Sequence, residues 1–200
     1  MKTKSKALLM TLCAVLLVAA SVLGTMAYLT SQDSVTNTFS IGKINITLDE
    51  AKVGDNGNAV VPEVRVKANT YKLMPGHKYD KDPTVHVTAN SEDSWIFVKV
   101  ENGISALEAE GTTTIAKQIE AKGWTKLDNV DNVYYKSYTK QNTVMDLVVF
   151  ESFTIKGDAA ESDLENISDT TKITITAYAI QKDANLNTAA AAWAAGGFGA

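Results

Sequence analysis

Trp95-Ile96-Phe97-Val98-Lys99-Val100 carries apolar side chains at consecutive positions as well as alternate ones. In an extended chain successive side chains point to opposite faces. A segment that is apolar on both faces needs cover on both, which predicts a central strand. Strand-like segments lie on either side of it. Pro83 to Ala89 alternates, with Val85, Val87 and Ala89 inward. Ile44, Ile46 and Leu48 alternate with Lys43, Asn45, Thr47 and Asp49. Phe39 and Ile41 carry the opposite phase, so a β-bulge or kink is expected at Gly42–Lys43. Val60 to Lys67 predicts a further strand, and Pro62 places it at a sheet edge or a strand start. Towards the C-terminus Val133–Tyr138, Val144–Ile155 and Lys172–Gln181 read as three more strands.

The punctuation between these runs is turn chemistry. Asp55-Asn56-Gly57-Asn58 is a turn signal. Met74-Pro75-Gly76-His77 has type II chemistry, with proline fixing one φ and glycine taking a positive one. Thr112 to Lys122 predicts a helix: Ile115 and Ile119 share a face, Thr112 caps the start and Gly123 ends it. Ala159 to Ile167 predicts a short helix in a loop. The alanine-rich tail 183–200 reads either as a docked short helix, with Leu186 and Trp193 on one side, or as a segment with no structure of its own. Many short strands, frequent turns and few helices predict a mainly β fold, a two-layer antiparallel β-sandwich with one or two short helices. No internal repeat or linker divides it, so one domain is expected.

The front of the chain has a different build. Lys2, Lys4 and Lys6 precede an apolar run from Ala7 to Leu23, and Gly24-Thr25-Met26-Ala27 follows with small residues at both recognition positions. That is the pattern of a cleaved export signal. Cleavage between Ala27 and Tyr28 predicts a signal peptide at 1–27 and a single mature domain at 28–200. The lysines hold the N-terminus on the cytoplasmic side. The competing reading is a retained anchor, for which the apolar run is at the short limit and no basic stop signal follows.

Charge and cysteine usage narrow the function. The chain of 200 residues has 19 basic and 23 acidic side chains, a net charge of −4. The leader takes basic residues only, so the mature part is more acidic still, which argues against a nucleic-acid surface. The one cysteine, Cys13, falls in the leader, so the mature chain holds together by core packing without disulfides. The sequons at Asn45-Ile46-Thr47 and Asn166-Ile167-Ser168 carry no weight in a bacterial setting.

Several of these stretches are similar to a known family. Gly24-Thr25-Met26-Ala27-Tyr28-Leu29-Thr30 resembles the cleavage region of the exported TasA/camelysin proteins of Gram-positive bacteria. Ser34 to Leu48 resembles the family's first mature segment, a polar stretch followed by F-x-x-G and alternating apolar residues. Leu73-Met74-Pro75-Gly76-His77 is similar to its Pro-Gly turn, and Thr174 to Gln181 to a late strand. The matches cover about a quarter of the chain. Leu29 stands where an aromatic is more usual and His77 where an acidic residue is common, and the alanine-rich tail has no counterpart. The resemblance implies a jelly-roll-like sandwich, a dedicated signal peptidase, no stable membrane anchor after cleavage, and a secreted, homo-polymeric, head-to-tail matrix fibre. It also implies that the front segment 28–40 of one subunit completes a sheet in the next.

Strand donation has a physical case of its own. Tyr28, Leu29, Val35, Phe39 and Ile41 are the expected donor-segment contacts, and the freed stretch Tyr28–Leu48 has five large apolar groups beyond its polar start: Phe39, Ile41, Ile44, Ile46 and Leu48. Each is worth about 1.5–3 kcal/mol when fully buried. Ordering the backbone costs about 1–2 kcal/mol per residue. The segment cannot order alone and has to join a sheet, its own or a neighbour's. Donation to a neighbour grows a filament unless the ring closes. The Ile44–Leu48 half is expected in its own sheet.

Other chemistries are weaker. The camelysin label implies a metallopeptidase, but a catalytic zinc needs about three protein ligands. The chain has two histidines, His77 and His86, and no H-E-x-x-H. They read as a solvated turn histidine and a surface strand histidine. Without a G-x-S-x-G elbow either, no enzyme, cofactor or metal site is expected. The alternative to a fibre subunit is a monomeric cell-surface adhesion or glycan-binding module, for which Tyr134, Tyr135 and Tyr138, with Trp193 near the end, offer a platform, although on strands such residues more often pack. Asp128-Asn129-Val130-Asp131-Asn132 offers oxygens for calcium without the spacing of a known loop.

Overall fold

The structure is a computed structural model, and it describes residues 10, 12–16, 43–111, 113–160, 164 and 172–198. The chain divides into two units, Met1–Ser40 and Ile41–Ala200. In the first, Met10 and residues 12–16 are helical and exposed. Among the described residues no helix is long and apolar enough to cross a membrane.

The second unit is mainly β and every strand pairing in it is antiparallel. Its strands are β1 (Ile46–Ala51), β2 (Arg65–Val66), β3 (Lys78–Asp80), β4 (Thr84–Val87), β5 (Ser94–Asn102), β6 (Thr125–Lys126), β7 (Val133–Tyr138), β8 (Met145–Val148), β9 (Ser152–Thr154) and β10 (Ile173–Gln181). Among the described residues the helices α1 (Ile115–Ala121) and α2 (Ala189–Gly196) join them, and Leu164 is helical as well. One sheet runs β2-β1-β4-β8, a second β10-β5-β7-β6, and β3 pairs with β9 as a two-stranded ribbon.

Period-two alternation sets the layers. In the first sheet Leu48 lies opposite Val85, and Val85 opposite Leu147. In the second, Ala177 and Tyr134 flank Val98. These inward faces share one apolar cluster, which holds Val85, Val87 and Leu147 together with Ile96, Val98, Val100 and Tyr138. Two sheets that bury their inner faces on one another form a β-sandwich. The helix α1 adds Ile115 and Ile119 to the same core.

The opposite face of β5 is covered as well. Phe97 points away from the sandwich interior into a second cluster with Leu127, Val133, Ala189, Ala192 and Trp193. The alanine-rich tail is therefore part of the fold. Thr188 caps α2 by accepting from the Ala191 amide at 3.2 Å. Trp193 meets Phe97 edge-on at 5.2 Å, and the Trp95 indole donates to the Leu186 carbonyl at 2.9 Å. Small alanines let the short helix approach the aromatic floor closely, and Trp193 fills the gap.

Local differences from the sequence reading have physical reasons. Val144–Ile155 is two strands, β8 and β9, in different sheets. Val149 and Phe150 between them are both fully buried, although neighbours on a flat strand face opposite ways. The chain bends there, and the Val149 amide donates to the Pro83 carbonyl at 2.8 Å. Val60–Lys67 contracts to the two residues of β2, because Val61 and Val64 stay exposed and Pro62 has no amide to give a ladder. As expected for Pro62, β2 lies at a sheet edge. The cap of α1 is Thr114 rather than Thr112, which lies outside the described residues. The turn at Met74–His77 closes with the His77 amide on the Met74 carbonyl at 3.2 Å, and Gly76 has φ +70°. Gly57 is required by contact as well: a Cβ there would sit 2.3 Å from the Tyr79 ring. Gly42 and most of Ala159–Ile167 lie outside the described residues.

Candidate functional site

Ala27, Tyr28, Leu29, Val35, Phe39 and Ile41, the expected cleavage and donor positions, all lie outside the described residues. What the structure does describe is the rest of the front strand. Ile46 to Asp49 pair with Val87 to Thr84 of the same chain, so this half belongs to its own sheet.

Two strand edges border a cleft. Among the described residues β10 pairs with β5 along its whole length and with nothing on its other side. Its inward residues Ile173, Ile175, Ala177 and Ala179 pack on the core, yet none of its nine residues is buried. The strand β1 is paired with β2 only at Glu50 and Ala51, which leaves Ile46–Asp49 without a ladder partner on that side among the described residues. A cleft of about 790 Å³ opens between these edges, lined by Leu48, Glu50, Tyr71, Phe153, Ile173 and Ile175 among others. Amides and carbonyls without a ladder partner among the described residues, beside half-covered isoleucines, make a template for one more strand.

The outer face of the first sheet carries an ionic network. His86 on β4 lies between two carboxylates, with Nδ1 2.6 Å from Asp146 on β8 and Nε2 2.9 Å from Asp49 on β1. Arg65 on β2 donates to Asp49 at 2.7 Å and also reaches Asp82. Burial alone would push the His86 pKa down, but the hydrogen bonds to Asp49 and Asp146 outweigh it and lift it above the usual value. Burial likewise works to raise Asp49, and the bonds from His86 and Arg65 reverse that and hold it low. The network ties four strands together across one face.

The remaining candidates are in structural positions. His77 sits in its turn, with Nε2 3.0 Å from the Asn56 carbonyl and its ring against Tyr79. His77 and His86 do not share a site, and among the described residues no group of three or more His, Cys, Asp or Glu is placed to hold a metal. Tyr134 and Tyr138 are buried in the core, and Tyr135 packs against Trp95 at 5.7 Å. Asp128–Asn132 forms a tight turn between β6 and β7, with Asn129 and Asn132 at positive φ.

Sequence reasoning missed the clamp around His86 and the side of β10 that has no ladder partner among the described residues. Alternation extended two residues past Leu48 places Glu50 inward, a signal that was available. No local pattern marks β10 as an edge. A scan against protein-family models, a search of curated proteins and a search of solved structures each found no match to this chain.

Proposed function

We propose that this protein is a secreted structural subunit that polymerises head-to-tail into an extracellular or biofilm-matrix fibre. In this reading a dedicated signal peptidase cuts between Ala27 and Tyr28, and the segment 28–40 of one copy lies along β10 of the next. The sandwich is then jelly-roll-like, the protein is not an enzyme, and it keeps no membrane anchor. The observation that carries the proposal is β10, a nine-residue strand with one ladder partner among the described residues and half-covered isoleucines beside a cleft. Backbone pairing supplies affinity, and the alternate pockets set by Ile173 and Ile175 supply register.

Electron microscopy of the purified 28–200 chain over a concentration series is the test. Filaments are expected to lengthen with concentration. Deleting residues 28–38 is expected to leave a folded monomer that forms none. A charge facing inward guards a sheet edge, so Ile175→Lys is expected to block growth while circular dichroism stays β-rich. Filaments of normal length from the deleted chain would refute donation.

A further inference from the structure

The cleft wall contains a second arrangement, independent of polymerisation. Glu50 is 5% exposed and Lys81 7% exposed. The Lys81 ammonium donates to Glu50 Oε2. The other oxygen of the same carboxylate, Oε1, accepts from Asn69 Nδ2 at 2.9 Å. One buried carboxylate therefore touches both an amine and a side-chain amide. The Asn69 carbonyl oxygen Oδ1 accepts from the Val53 backbone amide at 2.9 Å. The ring of Tyr71 lies 5.8 Å from Lys81 Nζ and packs on Tyr79 and Phe153, so the surroundings are aromatic.

We infer that Lys81 and Asn69 form an intramolecular isopeptide bond, with Glu50 as the proton-transfer group. In the first step a proton passes from the Lys81 ammonium to the Glu50 carboxylate along the hydrogen bond that joins them. The neutral Nζ attacks Asn69 Cγ, and the bond Nζ–Cγ forms. Charge develops on Oδ1, where the Val53 amide already donates, in the manner of an oxyanion hole. Glu50 passes its proton to Nδ2, the Cγ–Nδ2 bond breaks and ammonia leaves through the cleft that Glu50, Asn69, Tyr71 and Lys81 line. The attacking nitrogen's second proton leaves with it as ammonium. Atoms and charge balance: an ammonium and a carboxamide become a secondary amide and an ammonium ion, with no oxidant, metal or cofactor. The product staples the loop after β2 to the residue after β3. With a single cysteine the chain can form no internal disulfide, so this is a covalent tie that needs no thiol.

Mass spectrometry of the intact, fully denatured protein tests it. The expected mass is one ammonia below that of the sequence. A tryptic digest is expected to contain peptide 68–72 joined to peptide 79–99, with no cleavage after Lys81. Lys81→Arg and Glu50→Gln are each expected to restore the full mass and, for Glu50→Gln, cleavage after Lys81. Wild-type protein at full mass, cut normally after Lys81, overturns the inference and leaves an ordinary buried ion pair. A deficit that persists in Lys81→Arg also overturns it and assigns the loss to a succinimide at Asn56-Gly57 or Asn102-Gly103. If Glu50→Gln fails to fold, the wild-type peptide map decides alone. None of these readouts depends on whether the protein polymerises.

Discussion

Strands β5 and β10 are each nine residues long and pair with one another along their full length, yet they differ in what surrounds them. β5 has a ladder partner on each side, the sandwich interior on one face and α2 with its aromatic floor on the other. Five of its residues are buried. β10 has one described ladder partner and no buried residue. Both carry enough apolar side chains for a core strand. The lesson is that burial follows from the number of neighbours, which a strand's own pattern specifies only in part.

Substitution should separate the two strands most clearly at Phe97. Phe97→Ala removes a fully buried ring from β5 and is expected to cost about 3–5 kcal/mol. Ile175→Ala in β10 is expected to cost the monomer only about 1–2 kcal/mol, since the side chain is half-covered. Urea unfolding of monomeric protein checks both, and equal losses would erase the distinction. Next in size is the cover over β5. Trp193→Ala is expected to cost about 3 kcal/mol and to raise binding of a hydrophobic dye, because it uncovers Phe97 and Tyr178.

A smaller effect concerns the first sheet. The folded pKa of His86 is lifted above 6.5, so its contribution is complete below 6.5 and is lost as pH rises through the lifted value. Asp49 is held below 3.8, so its contribution is present above 3.8 and is lost as pH falls through the lowered value. Thermal unfolding across pH should show a decline on the alkaline side. In His86→Gln that decline is expected to flatten, at a cost of about 1 kcal/mol at acid pH. The smallest effect is at Tyr138, whose buried hydroxyl has no hydrogen-bond partner among the described residues. Tyr138→Phe is expected to leave stability unchanged or raise it by up to about 1 kcal/mol, measured by the same denaturation.

Much of this architecture is legible in local pattern. The alternation of Val133–Tyr138 and Lys172–Gln181 locates β7 and β10 to within a residue, because period-two spacing and β-branched or aromatic side chains leave few other conformations. Two-faced apolarity at Trp95–Val100 identifies β5 as central. The break at Val149–Phe150 was less visible: a buried bend and a continuous buried strand share the same composition. The helix at 189–196 was ambiguous for a related reason. Alanine favours helix, but whether a short helix holds depends on an aromatic surface that lies far away in the chain.

The amino-acid order alone determined the β class, the strand phases and the turn at Pro75-Gly76, since each rests on steric preferences of neighbouring residues. Tertiary structure decided what meets across long separations. It seated α2 on Phe97, set His86 between Asp49 and Asp146, and joined Glu50, Asn69 and Lys81 around one carboxylate. It also left β10 with a single described partner. Such juxtapositions depend on how sheets stack and where chains cross, and no local preference encodes them.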